Sequence, residues 1–347
     1  MQHRNSLFVS VLFFALGIAL ALFGGNWVKD RYNLIRPTDP YRLVQQIASV
    51  QDSRPILLLI GSSLTQYGLD PAVLENVLAS KGRNYRVIKF AWGGLSPLER
   101  LYYLKFILSY SEHSPAAVIF EVSQYYDLMP LLQFENNLLT NRMIEMMDWR
   151  TALFALRWVY YDSPSNLKGK VSLSWSIIRH CIDRYTLAGQ AQKLEPFKAV
   201  LPDKFEYMPP KGADIAQAEI DRRVANGIKA LNSSETTKVA NWDRSIYPEM
   251  ISELKKHGVS RFGFYALPTP QWPELLYVKS FCMQRPGAVC ILPNPELLRR
   301  LQAKSNWMDY SHLFGDGRQT TSVWFAGEAF RLLPPVAEIR ASSGPVQ

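Results

Sequence analysis

The sequence is poor in cysteine, with 3 in 347 residues. That is too few for a disulfide-stapled scaffold, and none of the spacings suits a zinc site. It has no P-loop and no dinucleotide-binding glycine fingerprint, which sets aside nucleotide kinases and nicotinamide dehydrogenases. No repeat recurs in the roughly 20–50-residue range of solenoids and propellers. The net charge is +9, yet no dense Lys/Arg block occurs, so no nucleic acid is expected as a partner. The positive excess suits an anionic lipid surface, an anionic polymer, or plain solubility. Charged residues are 20% and hydrophobic ones 48% of the chain, a balance that excludes intrinsic disorder and leaves a globular protein with a full-sized core.

One long apolar run is present. No side chain from Asn5 to Val28 is charged, and Leu7 to Phe23 is almost wholly apolar. About 20 such residues, each rising ~1.5 Å, span a bilayer's hydrocarbon core. Arg4 precedes the run, and Lys29 and Arg31 follow it, so flanking charge orients it only weakly. A short leader before a bulky remainder favours the N-terminus inside and the body outside. The expected division is a leader over 1–6, a transmembrane anchor over 7–25 and a stem over 26–50. The competing reading is a cleaved signal peptide, with Ala19-Leu20-Ala21 as the small-residue processing site. Both readings export the body. An oxidising compartment suits a disulfide between Cys282 and Cys290, because Pro286-Gly287 between them is a turn signal. Cys181 is then left over and expected to be buried.

Behind the stem, a short helix is expected over 41–50, and then strands and helices alternate. Ile56 to Ile60, ending in Gly61, is a continuous apolar run suited to a strand buried on both faces. Asp70-Pro71 opens a helix to about Ser80 with an N-cap and a proline at its first position. Further strands are expected over 85–91 and 116–122, with a helix over 97–110 between them. Residues 131–240 break the alternation with amphipathic helical stretches, such as 142–160, and a Pro-dotted polar region. Met143, Met146, Met147 and Trp149 fall there at helical spacing, as core or as the lining of an acyl groove. The alternation resumes with helix 242–257, strand 259–266, helix 273–280, strand 288–292 and helices 295–303 and 318–333. The fold class is α/β: a parallel sheet flanked by helices, in two parts (51–130 and 241–340), interrupted by a helical insertion over 131–240.

In an open parallel sheet, sites gather beyond the carboxyl ends of the strands. Four polar blocks stand at such places or just before the last helix: Gly61-Ser62-Ser63-Leu64, Trp92-Gly93-Gly94-Leu95-Ser96, Ser123-Gln124-Tyr125 and Asp309-Tyr310-Ser311-His312. In this order they resemble the SGNH (GDSL-like) hydrolase superfamily, whose fold is a three-layer α/β/α sandwich. The resemblance makes Ser63 the nucleophile, Ser62 the occupant of the family's Asp position, Asp309 and His312 the dyad, and Gly94 the oxyanion glycine, with Gly93 as the near alternative. The family's Asn is missing, so a third oxyanion donor beside Ser63 and Gly94 would come from Ser123, Gln124 or Tyr125. The GSS turn, the missing Asn, the leader and the insertion are similar to the membrane-anchored branch that acylates cell envelopes. That branch includes the D-alanyl transfer protein of teichoic acids and the alginate O-acetyltransferase proteins.

The chemistry stands on the residue types as well. A serine hydroxyl needs an adjacent base to attack a carbonyl, and an imidazole supplies one near neutral pH. A carboxylate three residues before His312 is close enough to accept its Nδ1 hydrogen, which fixes the tautomer and leaves Nε2 for Ser63. His113 and His180 are alternative bases. His257 sits at a helix end, and Asp316 suits an N-cap better than catalysis. No metal or cofactor is needed.

Three functions follow. The first is a membrane-anchored extracytoplasmic serine acyltransferase or esterase. It would act on O-acyl groups of an envelope or exported polysaccharide, with an acylated glycan or acyl donor as substrate and a polytopic membrane acyltransferase as partner. The second is a carboxyl-ester or lipid hydrolase with the insertion as a lid. The third is a non-catalytic scaffold of a membrane acylation complex.

Overall fold

The computed structural model describes residues 39–111, 114–124, 140–185 without 162 and 164, 215–239, 246–269 and 272–335 without 286, together with positions 13, 16 and 17. The expected leader and anchor, and most of the stem, lie outside the described residues. Among those that are described, no helix is long and apolar enough to cross a membrane.

The chain divides into two compact units, Met1–Arg42 with Leu131–Lys198, and Leu43–Pro130 with Ala199–Gln347. The segment expected as one insertion over 131–240 is therefore shared: up to Lys198 it belongs to the first unit, and from Ala199 it belongs with the sheet.

The second unit holds the parallel sheet. Its elements in chain order begin with helix α1 (Asp39–Ala48), whose residues from Leu43 onward belong here, and strand β1 (Ile56–Gly61). Then come α2 (Ser63–Gly68), α3 (Pro71–Ser80), β2 (Arg86–Ala91), α4 (Pro97–Tyr110) and β3 (Ala117–Glu121). The first unit supplies α5 (Thr140–Met146), α6 (Trp149–Tyr161) and α7 (Leu167–Tyr185). The second unit resumes with α8 (Gln217–Asn232), α9 (Ile246–Lys256), β4 (Phe262–Tyr265), α10 (Trp272–Met283), β5 (Val289–Ile291), α11 (Pro295–Arg300) and α12 (Gly315–Ala329).

The strand order is β2-β1-β3-β4-β5, all parallel. All six residues of β1 are buried, as a central strand covered by helices on both faces demands. On one face Leu57, Leu59, Ile119 and Tyr265 pack with Leu74 and Leu78 of α3 and with Phe325 and Ala329 of α12. On the other face the rings of Phe90, Phe120 and Phe264 meet Tyr103 of α4, Tyr247 of α9 and Phe281 of α10. The result is three layers, helix–sheet–helix. The chain leaves β1 to one side for β2 and returns to the other side for β3. The crevice beyond the carboxyl ends of β1 and β3 is therefore the topological switch point, where ligands bind in such sheets.

Several expected boundaries move. The stretch over 142–160 is two helices, α5 and α6, because Asp148 between them caps the second by accepting the Thr151 N–H at 2.7 Å. The last helix starts at Gly315, with Phe314 at its N-cap and Asp316 inside its first turn, so Asp316 does not cap it. Helix α2, directly behind β1, is additional, and the helical stretches expected over 131–240 include the long helices α7 and α8. Cys282 and Cys290 are bridged, with Cα atoms 6.1 Å apart. Cys181 is a free thiol but half-buried rather than buried. Met143, Met146 and Met147 are buried, whereas Trp149 is exposed.

Candidate active site

The end of β1 turns sharply into α2, and Ser63 is the first residue of that helix. Ser62 is its N-cap, with its Oγ accepting the Leu64 N–H at 3.2 Å. Asp309 and His312 come from a tight hairpin closed by a bridge between Trp307 and Leu313 and by the Met308 N–H donating to the His312 carbonyl at 2.8 Å. Asp309 Oδ1 accepts the backbone N–H groups of Ser311 (2.7 Å) and His312 (2.8 Å). Its other oxygen, Oδ2, lies 2.7 Å from His312 Nδ1. His312 Nε2 is 2.8 Å from Ser63 Oγ. The structure thus brings the three residues into one hydrogen-bonded line, Asp309–His312–Ser63, across 249 residues of sequence. The Tyr67 ring packs perpendicular to the imidazole, with centroids 5.2 Å apart. Burial alone would raise the Asp309 carboxyl, but the His312 imidazole and the two amides more than offset it, so the group lies below its ordinary range.

The amides at the start of α2 are sorted. Those of Ser62 and Thr65 donate to Glu121 Oε2 at 3.0 and 3.2 Å, and that of Leu64 to Ser62. The Ser63 N–H has no acceptor among the described residues, which leaves it available to an oxyanion. Gly94 is the third residue of a four-residue turn, in which the Leu95 N–H donates to the Trp92 carbonyl at 3.1 Å. Its φ of 67° is the conformation that this position of a type II turn requires and that glycine adopts at no steric cost. Gln124 follows β3, and its backbone N–H donates to Glu274 Oε1 at 2.8 Å. Ser123 is buried, and Tyr125 lies outside the described residues. Of the alternative bases, His180 sits on α7 with Nδ1 2.6 Å from the Ser176 carbonyl, and His113 lies outside the described residues. Among those residues no cluster suits a metal ion.

Beneath the serine lies a network that the motif reading missed. Glu121, at the end of β3 and fully buried, accepts the Ser62 hydroxyl at 2.6 Å, the Thr65 hydroxyl, and both amides above. Its charge is balanced by Arg100 of α4, whose Nη2 lies 3.2 Å from Glu121 Oε1. The same guanidinium donates to the Glu121 carbonyl at 2.7 Å and the Leu95 carbonyl at 3.1 Å. It therefore links the nucleophile turn to the end of the Gly94 turn. Gly61 has no room for a side chain here: a Cβ would sit 2.5 Å from Thr65 Cβ and 2.6 Å from Glu121 Oε2. At the other end of α2, the buried Lys89 donates to the Gln66 and Leu69 carbonyls, both at 2.7 Å. The sequence signal for these groups was a lone charge inside an apolar run, as in Val87-Ile88-Lys89-Phe90 and Val118-Ile119-Phe120-Glu121.

A cavity of about 510 Å³ adjoins the hairpin, lined by Tyr67, Asp70, Met308, Leu313, Phe314 and Arg318 among others. Across it Arg318 Nη2 pairs with Asp70 Oδ2 at 3.0 Å.

No family model matches the chain, and no curated protein matches it. Among solved structures it is similar to AlinE4, an esterase of the SGNH-hydrolase family. The match is 21% identical and covers 53% of this chain and 100% of that one, with a TM-score of 0.21. At that TM-score the likeness decides nothing about this chain, and the functional reading rests on the site's own geometry.

Proposed function

We propose that the chain is an ester-acting serine enzyme of the SGNH type, with Ser63 as nucleophile, His312 as general base and acid, and Asp309 as its orienter. The observation that carries this reading is the unbroken pair of contacts from Asp309 to His312 and from His312 to Ser63, 2.7 and 2.8 Å long, at the switch point of a parallel sheet. Ser63 Oγ attacks an acyl carbonyl carbon as its proton passes to His312 Nε2. The carbonyl oxygen becomes an oxyanion facing the Ser63 N–H, with the Gly94 N–H as a second donor. Collapse of the adduct breaks the bond to the leaving alkoxide, which takes the proton from His312 and leaves an acyl-Ser63 ester. A second hydroxyl then attacks that ester and gives its proton to His312. As the bond to Ser63 Oγ breaks, His312 passes that proton to Oγ. The acyl group leaves on the second hydroxyl's oxygen, and Ser63 and neutral His312 are restored.

Within this reading, the finer assignment is acyl transfer to an extracytoplasmic polysaccharide, with a sugar hydroxyl rather than water as the second attacker. The motif resemblance to the envelope-acylating branch supports it. So does the Cys282–Cys290 bridge, which suits an oxidising compartment, and so does the apolar run over 7–25 as an anchor. A polytopic membrane acyltransferase would supply the acyl group.

The test is intact-mass labelling of the full chain with a fluorophosphonate. One adduct on the wild type that is absent from Ser63→Ala and His312→Ala establishes the activated serine. No adduct on a folded wild type refutes the enzyme reading and favours a scaffold. For transfer, the discriminating measurement is the fate of an acyl-Ser63 ester offered an oligosaccharide. Ester appearing on the sugar supports transfer, whereas release of free acid alone makes the chain a hydrolase.

A further inference from the structure

Helices α6 and α7 of the first unit carry apolar side chains on the solvent side, and these are arranged rather than scattered. On α7, Leu167, Val171, Trp175, Ile178 and Ile182 are between 38% and 79% exposed. Their spacing of four, four, three and four residues places them within an arc of about 80° at ~100° per residue. On α6, Trp149, Leu153 and Tyr160 are between 56% and 71% exposed and share a narrower arc with the half-buried Leu156. Each stripe runs the length of its helix. A buried row separates each stripe from its neighbours: Ala152, Ala155 and Val159 on α6, Leu173, Ile177 and His180 on α7. Among the described residues the exposed rows are thus surplus to the packing of their own unit, and contiguous apolar patches of this kind mark an interaction surface.

The charges beside the stripes have one sign. Arg150 and Arg157 flank the α6 row, and Lys168 and Arg179 flank the α7 row on the corresponding side. Helix α6 contains no acidic residue, and α7 contains only Asp183, which reaches Arg179 at 3.7 Å. Arg150 also lies over the Trp149 ring, 5.2 Å from its centroid. Leu, Ile and Trp along one face with Lys and Arg at its border is the pattern of a helix lying in a membrane interface. There indoles and phenols prefer headgroup depth and the cations meet anionic lipid.

We propose that the α6–α7 pair is an interfacial surface that rests on an anionic bilayer, inserting Trp149, Leu153, Val171, Trp175 and Ile178 and holding Arg150, Arg157, Lys168 and Arg179 among the headgroups. It does not depend on the serine chemistry.

The test uses the full chain in vesicles of phosphatidylcholine, with and without phosphatidylglycerol, whose acyl chains are brominated to quench tryptophan fluorescence. The Trp149→Phe/Trp175→Phe variant should lose about half of the quenching seen with the anionic vesicles, since indoles at headgroup depth lie within reach of the bromines. The wild type should show less of it in phosphatidylcholine alone or at high salt. Hydrogen exchange across 149–161 and 167–185 should slow on anionic vesicles. The Val171→Ser/Trp175→Ser/Ile178→Ser variant, whose changes are all on exposed positions, should abolish that slowing while keeping its circular dichroism. Equal quenching in the wild type and the Phe variant, or slowing that survives the Ser variant, overturns the proposal. So does a dimer in detergent that the Ser variant converts to monomer, since the face would then be covered by a second copy of the chain.

Discussion

The two halves of the candidate site are built on opposite plans. The serine half is deep and long-range: Ser62, Thr65, Lys89, Arg100 and Glu121 are all buried and come from α2 with its N-cap, β2, α4 and β3. Ser62 and Glu121, 59 residues apart, meet at 2.6 Å. The histidine half is shallow and local. Asp309 holds His312 through contacts two and three residues apart, and the two side chains are 38% and 21% exposed. Damage to the serine half should therefore appear as lost stability, because its bonds lie in a medium where unmet charge is expensive. Damage to the histidine half should appear as lost chemistry in a protein that still folds.

The largest effect is expected in the hairpin. Asp309→Asn keeps the shape but presents an amide to Nδ1, which favours the tautomer with its hydrogen on Nε2 and removes the lone pair that Ser63 needs. Reaction with fluorophosphonate or an activated ester should fall by about 10³–10⁴-fold, as for other orienting carboxylates, with a melting temperature close to wild type. A large drop in melting temperature would show that the hairpin is not the independent piece described above.

Next come two changes under the serine. Arg100→Met leaves the Glu121 carboxylate buried without its cation, at a cost of about 3–5 kcal/mol. Adding Glu121→Gln should recover a large part of that stability, because the unpaired charge is gone. Denaturant midpoints of the single and double variants measure the coupling, and simple additivity would contradict the pairing. Gly61→Ala drives a methyl group against Thr65 and Glu121, at a cost of about 1–3 kcal/mol. It should also slow serine labelling, since Thr65 is only two residues from Ser63 in the same short helix.

This division also explains what could be read without coordinates. The alternation of strands and helices is written in local patterns: the run Ile56–Ile60 and the Asp70-Pro71 helix start. Asp309 and His312 are legible because three residues is a local spacing, and Ser63 because a strand ends at Gly61. Glu121 and Arg100 were not assigned, since no local rule links residue 62 to residue 121. Only the sheet pairing, with Ile60 opposite Phe120, brings them together. The commitment of the Gln124 amide to Glu274, 150 residues away, escaped for the same reason. The α6–α7 rows were hidden differently. Their apolar periodicity looks the same in sequence whether the face is buried or exposed, and only measured exposure separates the two.

The smallest effect belongs to Lys89, and pH can expose it. Burial, and then the Arg318 charge, push its amine from 10.5 down to about 7, against a smaller pull upward from Asp70. In the unfolded chain the amine keeps its ordinary value. Between about pH 7 and 10.5 the unfolded state therefore holds a proton that the folded state has released, and folding stability should rise with pH across that window. Below it, Lys89 is charged in both states and adds no slope. Lys89→Met removes this titration and leaves the Gln66 and Leu69 carbonyls without their donor. At pH 7 the loss of two hydrogen bonds, offset by relief from burying a cation, should leave a net change of only about 1 kcal/mol. By pH 9.5 the wild type should have gained on the variant, because the desolvation penalty has lapsed while the neutral amine still donates to both carbonyls. Urea midpoints of the two proteins at pH 7 and 9.5 decide the matter. Parallel midpoints would mean that Lys89 keeps its charge throughout, held by the end of α2 and by Asp70, and the serine half would then contain two buried cations rather than one.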